Sequence, residues 1–164
     1  MTTFRLILFL ILPFQLLGQS EVEAGGMHFR YEVKDDSLIC FISSPSLGWA
    51  MIGLNSKNTT EYADFKFFAV KDHKVIISDN KNIGERNYPK DTDLKGQQNI
   101  KLLEGKEVAG SSQFYFSIPL KSKDKNDYQI EFDIPFYLIL AYSESDDFEH
   151  HSRVREHYMI TLTQ

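Results

Sequence analysis

Alternation of apolar and polar residues is the feature that most restricts how this chain can fold. Residues 27–34 read MHFRYEVK, in which every second side chain is apolar. A period of two places alternate side chains on opposite faces of a β-strand, whereas a helix repeats every 3.6 residues. We found no segment with a helical stripe and caps. Short strands separated by turn residues are typical of a β-sandwich or barrel, so the sequence predicts an all-β fold.

Ten strands are predicted in the chain after residue 26. They are residues 27–34, 38–43, 49–54, 64–70, 75–78, 100–103, 113–120, 128–132, 136–142 and 156–162. The first two are joined by a short polar turn and are expected to form a hairpin. Residues 79–96 form the longest stretch without apolar periodicity, and loops of such length are often functional.

The first 19 residues are predicted to lie outside the fold. A basic start at Arg5 is followed by the short apolar run LILFLIL and a small or polar exit at Gly18 and Gln19. This order is that of a secretory signal peptide, and the run is shorter than the ~20 residues that span a bilayer. We therefore expect a signal peptide at 1–19, one domain at 20–164 without a membrane span, and a secreted or periplasmic location.

Composition and motifs exclude several classes of function. The net charge is −5, and no lysine and arginine cluster resembles a nucleic-acid surface. The single cysteine, Cys40, lies in an apolar strand and is expected to be a buried small hydrophobe. No P-loop, nucleophile elbow, zinc-protease motif or dinucleotide fingerprint is present. These absences favour a binding module over a hydrolytic enzyme.

An ordered set of short motifs resembles the DOMON domain family. The set begins with GWAMIGL at 48–54 and ADFKF at 63–67, and it continues with Asp79, Pro89 and Asp91. It ends with the apolar strands at 114–120 and 138–142 and the histidines that follow them. The resemblance implies an Ig-like antiparallel β-sandwich of roughly ten strands. It also implies a ligand that is either b-type haem, as in the cytochrome domain of cellobiose dehydrogenase, or a sugar or other small molecule.

Haem-binding members of the family use a methionine and a histidine as axial ligands. The family histidine corresponds to His151 or His150, and counting from Phe148 favours His151. The family methionine falls near Thr60 or Glu61, so Met51 is the nearest thioether. The resemblance thus gives His151, His150 and Met51 as candidate haem ligands and a redox protein as partner. Neither residue 60 nor residue 61 is a methionine, so a family member that has lost haem is the alternative.

Other interpretations of the same residues remain open at this stage. Trp49 and Tyr62 are candidates for stacking on a sugar ring, and Asp64 and Asp91 are further candidate ligand-binding residues. These acids and Asp79 are also potential Ca²⁺ ligands, but turn chemistry explains them equally well, and no metal site is predicted. A third hypothesis is an interaction domain that binds an envelope protein through its sheet edges.

Overall fold

The computed structural model describes residues 20–163, and the predicted signal peptide lies outside the described residues. The described chain contains ten strands and one 3-10 turn. The strands are β1 Ser20–Ala24, β2 Met27–Lys34, β3 Ser37–Ser44, β4 Ala50–Asn55, β5 Asp64–Lys71, β6 Lys74–Lys81, β7 Lys101–Val108, β8 Ser111–Pro119, β9 Phe136–Tyr142 and β10 Val154–Ile160, and the 3-10 turn is Asp91–Leu94.

The strands form two five-stranded sheets. Sheet A has the order β1-β2-β3-β8-β7, and sheet B has the order β10-β9-β4-β5-β6. All the strand pairings are antiparallel. The predicted all-β sandwich and its number of strands are therefore confirmed. Within residues 20–163, no helix is both long enough and apolar enough to cross a bilayer.

The core between the sheets is built on stacked phenylalanines. The ring centroid of Phe68 in sheet B lies 5.5 Å from that of Phe114 and 4.3 Å from that of Phe116, both in sheet A. Cys40 is fully buried in this core, as predicted, and its burial raises the pKa of the thiol. Contacts of this kind hold the two sheets together, because each buried ring removes a large apolar area from water.

Sheet B also carries an apolar cluster on its outer face. All six residues of β4 are buried, so this strand is covered on both sides. Members of the outer cluster come mainly from β4, β5 and β9: Trp49, Met51, Ala63, Phe65, Phe67, Ala69, Ile139 and Ala141. Sheet A cannot shield this outer apolar face from water. Tyr88 from the loop after β6 and Phe148 from the loop after β9 pack against it instead.

One predicted strand is absent from the structure, and one observed strand was not predicted. Residues 20–24 form β1, which pairs with β2, although its polar sequence SEVEA gives little strand signal. Residues 128–132 alternate like a strand but are irregular. The backbone N–H of Tyr128 donates to the Asp64 side chain, and that of Ile130 donates to the Leu120 carbonyl. The alternating apolar side chains of this segment therefore pack on the core. Its backbone N–H groups, however, bond to partners outside any β-ladder.

Replacing Phe68 by alanine should destabilise the protein by about 3–5 kcal/mol, because a buried ring is lost and a cavity remains between the sheets. The measurement is urea unfolding followed by circular dichroism. Val108→Ala is the control, since Val108 is 46% exposed, and its effect should stay within about 0.5 kcal/mol. Equal losses in both variants would contradict the assignment of Phe68 to the core.

Candidate functional site

A pocket of about 480 Å³ lies on the outer face of sheet B. Its volume is within the range of ~300–1,000 Å³ that is usual for small-molecule sites. The residues that line it are Trp49, Met51, Thr60, Phe65, Phe67, Asn82, Arg86, Tyr88, Phe148, His150, His151, Ser152 and Arg155. They come from β4, β5 and β10 and from the loops that cover this face.

The floor of the pocket is aromatic and apolar. Alternation along β5 turns Phe65 and Phe67 outward, and the Trp49 ring meets the Phe67 ring edge-on at 5.3 Å. Trp49 and Met51 are each only 3% exposed. Glycine is required at position 53, since a Cβ there would lie 2.8 Å from the Phe65 ring. The floor therefore presents ring faces and one thioether.

Two aromatic side chains from loops form the walls. Tyr88 lies 6.2 Å from Phe65 and 6.3 Å from Phe67, measured between ring centroids. Phe148 approaches Phe67 to 5.3 Å from the other side. The loop that carries Phe148 is tied to the floor, because the Trp49 N–H donates to the Ser145 carbonyl at 2.9 Å.

Both predicted histidines line this pocket. The Nδ1 atom of His150 lies 3.0 Å from Ser143 Oγ and 3.1 Å from the backbone oxygen of His151. A carbonyl can only accept, so a hydrogen bond to it puts the proton on Nδ1 and leaves the lone pair on Nε2. Within residues 20–163, no hydrogen bond to the His151 ring is present. His150 is thus the imidazole whose orientation is held by hydrogen bonds.

The polar edge of the pocket is cationic. Arg86 and Arg155 are both exposed residues that line it, and Arg155 Nη2 donates to Ser152 Oγ at 3.1 Å. No aspartate or glutamate is among its lining residues. Within the described chain, neither arginine has a carboxylate partner. The site can accordingly take a flat apolar ligand with negative charge at its edge.

The predicted site residues lie in two clusters, except Tyr62, which lies apart from both. Trp49, Met51, His150 and His151 share the pocket. Tyr62 is 64% exposed and is not among the lining residues. Asp64 and Asp91 belong instead to a buried cluster of charges on the inner side of sheet B, which we call the carboxylate cage: Asp64, Lys66, Asp79, Asp91 and Asp127.

Lys66 occupies the centre of the carboxylate cage. Its Nζ lies 2.6 Å from Asp64 Oδ1 and 2.8 Å from Asp127 Oδ1, and it also contacts Asp79 Oδ1. Burial alone would lower the pKa of the Lys66 ammonium, but the three carboxylates outweigh this effect and raise its pKa. The lysine is therefore charged, and it joins β5 to β6 and to the loop before β9.

Three carboxylates of the cage contact Lys66 through one oxygen each. The second oxygen of each of them accepts a hydrogen bond from another part of the chain. Asp64 Oδ2 accepts from the Tyr128 N–H and Asp79 Oδ2 from the Asn99 N–H, both at 2.9 Å. Asp127 Oδ2 accepts from Asn99 Nδ2 at 2.5 Å. Burial nevertheless raises the pKa of Asp79 to about 6, although Lys66 opposes the shift, and it also raises the pKa of Asp64.

Sequence reasoning missed two important residues. Lys66 had no assigned role, although strict alternation along β5 places it on the same face as Asp64 and Phe68. A lysine on a core-facing position is rare unless it is paired, so that position was the available signal. Arg86 had no signal at all, because it lies in an irregular loop.

Comparisons with known proteins identify a matching family and solved structures with a similar fold. The DOMON domain family model matches residues 23–143. The structure is similar to the cytochrome domain of Myriococcum thermophilum cellobiose dehydrogenase, with a TM-score of 0.62 and 8% sequence identity over 88% of this chain and 82% of that chain. It is also similar to the cytochrome b domain of pyranose dehydrogenase from Coprinopsis cinerea, with a TM-score of 0.57 and 10% identity over 82% and 75% of the two chains.

Replacing Lys66 by methionine should cost about 3–5 kcal/mol of stability near neutral pH, because buried carboxylates lose their common counter-ion. Denaturant unfolding measures the loss. Lys106→Met is the matched control: Lys106 pairs with Glu104 at the surface, where both side chains are at least half exposed, and its loss should cost less than about 1 kcal/mol. Similar small losses for both lysines would show that the cage does not depend on the ammonium.

Proposed function

Because this chain belongs to the DOMON domain family, we propose that it binds b-type haem in the pocket on the outer face of sheet B and works as an exported electron-transfer module. The observation that carries the proposal is the composition of the pocket. An apolar aromatic floor, a thioether, two imidazoles and two guanidinium groups line one cavity. These are the groups that a porphyrin with an iron centre and anionic substituents requires.

The donor set fits a low-spin haem iron. Met51 offers a thioether sulfur from the floor, and imidazole and thioether are common axial ligands of electron-transfer haem. Among the imidazoles, we favour His150, because ligating histidines usually donate their other ring N–H to a fixed acceptor. The alternative ligand is His151, which the position in the sequence favours.

The remaining pocket residues suit the periphery of the same ligand. Arg86 and Arg155 would pair with the haem carboxylates at the open edge. Phe65, Phe67 and Tyr88 would exclude water from the ring. The buried Nε1 of Trp49 has no hydrogen-bond partner in the described chain, so one donor beside the floor is free.

Bound haem iron supplies one-electron transfer between its ferric and ferrous states, and the proposed role needs no other chemistry from the protein. The residues of the chain would hold the haem, exclude solvent and set its potential through the side chains that ligate the iron. We propose a redox protein as partner and a secreted or periplasmic location, in line with the expected signal peptide.

Titration of the purified mature chain with haemin should give a 1:1 complex with a sharp Soret band and reducible α and β bands. His150→Ala should weaken binding by about 100-fold or more and replace the low-spin spectrum, because an axial ligand costs at least as much as the outer-shell partners that are worth 10–100-fold. Met51→Ala should likewise abolish the low-spin spectrum.

Controls separate ligation from general damage. His73→Ala alters an exposed turn histidine outside the pocket and should leave the spectrum unchanged. His151→Ala decides between the two imidazoles: loss of the low-spin bands in this variant alone would transfer the role from His150. A colourless wild-type protein after exposure to haemin would refute the proposal.

Replacing both Arg86 and Arg155 by glutamine should weaken haem binding by about tenfold without changing the low-spin bands, since these residues would contact only the anionic edge. Spectrophotometric titration measures the effect. Arg153→Gln is the control, because Arg153 pairs with Glu144 at the surface and does not line the pocket. An unchanged affinity in the double variant would remove the arginines from the site.

Carbohydrate binding has less support from the same residues. Trp49 is 3% exposed, and its ring packs edge-on against Phe67, so it offers little surface for stacking on a sugar. Tyr62 is well exposed but lies outside the pocket. The two residues therefore do not form one binding platform, and we retain carbohydrate binding or an interaction with an envelope protein only as the alternatives to test if haem does not bind.

A further inference from the structure

The carboxylate cage contains more negative charge than its lysine balances. Four carboxylates, those of Asp64, Asp79, Asp91 and Asp127, place ligand atoms within 4.8 Å of one another, and all four residues are buried. One ammonium, Lys66 Nζ, contacts three of them. Buried like charges at such distances repel strongly, so the cage must either take up protons or bind a further cation.

Asp91 is the member of the cage that has no partner. The residue has no exposed surface, and neither of its carboxylate oxygens makes a hydrogen bond within residues 20–163. Each other carboxylate has one oxygen on Lys66 and the second on an N–H donor. A buried carboxylate without any donor is rare in native proteins and indicates a missing ion, water or proton.

The backbone positions the Asp91 carboxylate in the cage. Asp91 is the first residue of the 3-10 turn, and its carbonyl accepts the Gly96 N–H at 2.7 Å. Position 96 must be glycine, because a Cβ there would collide with Asp124 and Asn126 and lie 2.9 Å from the Asp91 carbonyl oxygen. The residue that follows the turn therefore packs closely against the segment that leads to Asp127 of the cage.

We propose that the carboxylate cage is a binding site for a divalent cation of the Ca²⁺ type, with Asp91 as its principal ligand and Asp64, Asp79 and Asp127 sharing their oxygens between the ion and Lys66. The donor set contains only oxygen, which suits a hard cation and disfavours zinc or copper.

The ion would offset most of the excess negative charge of the cage and fasten the loop that leads to the pocket. Asp91 follows Tyr88, a wall residue, by three positions, while Asp79 lies on β6 before the same loop. Burial, reinforced by the Asp79 carboxylate, raises the pKa of Asp91 to about 7, so protons compete with the cation for this group. This inference does not depend on haem binding.

The test is calorimetric titration of CaCl₂ into the purified mature chain after dialysis against EGTA and then chelator-free buffer, at pH 8. We expect one ion per chain and a rise in the thermal unfolding midpoint with Ca²⁺ concentration. Asp91→Asn should weaken Ca²⁺ binding by about tenfold or more and, because it removes an unpaired buried charge, should be at least as stable as the wild type in EGTA.

Two further variants keep the result interpretable. Asp93→Asn changes an exposed acid on the same 3-10 turn and should bind Ca²⁺ like the wild type. Asp127→Asn, a second cage variant, should also weaken binding about tenfold and covers the case in which Asp91→Asn does not fold. Absence of Ca²⁺ binding by the wild type would overturn the proposal. So would wild-type affinity in both cage variants, or equal losses in Asp93→Asn.

Discussion

The rest of the structure depends on strand β5, which is buried on both faces and carries a different chemistry on each. Phe65 and Phe67 point outward and form the floor of the pocket, whereas Lys66 points between the sheets. A charged amine in a sandwich interior is costly unless it is paired, and the register of β5 with β6 places Asp79 directly beside it. The polar cage and the aromatic floor are thus two sides of one strand.

The two sides are connected through the same loop. After β6 the chain folds back, so that residues 89 and 90 lie beside the end of this strand. The Lys81 N–H donates to the Pro89 carbonyl, and Asn80 forms an isolated β-bridge with Lys90. Between these ties lie wall residues of the pocket, and directly after them comes Asp91 of the cage. The cage on the inner face of sheet B and the pocket on its outer face are therefore connected by one short segment of the chain.

Alternation in the sequence was sufficient to predict most strands, because the pattern of β2, β3 and β8 directly reflects one buried and one solvated face. It misled at 128–132, where alternating apolar residues pack on the core but the Tyr128 N–H bonds to a side chain. That bond joins residues 64 positions apart, and no local pattern encodes it. The polar strand β1 was missed for the opposite reason, because pairing with β2 stabilises it more than its own composition does.

Part of the candidate site was also accessible from sequence. The histidines and Met51 were identified through a family resemblance, and they do lie in one pocket. The positions of Arg86 and of the cage partner Asp127 were not accessible, since both lie in irregular segments whose placement depends on the finished sandwich. Lys66 is an intermediate case: its strand was predicted, but two of its three carboxylate partners, Asp79 and Asp127, come from distant parts of the chain.

The double burial of β5 also limits how the length of this chain can change. Loss or gain of one residue within the strand would rotate every following side chain to the opposite face. The lysine would then enter the aromatic cavity, and a phenylalanine would take its place among the carboxylates. Insertions and deletions in related sequences should consequently be confined to connections such as the exposed residues 56–58, where no such exchange of faces occurs.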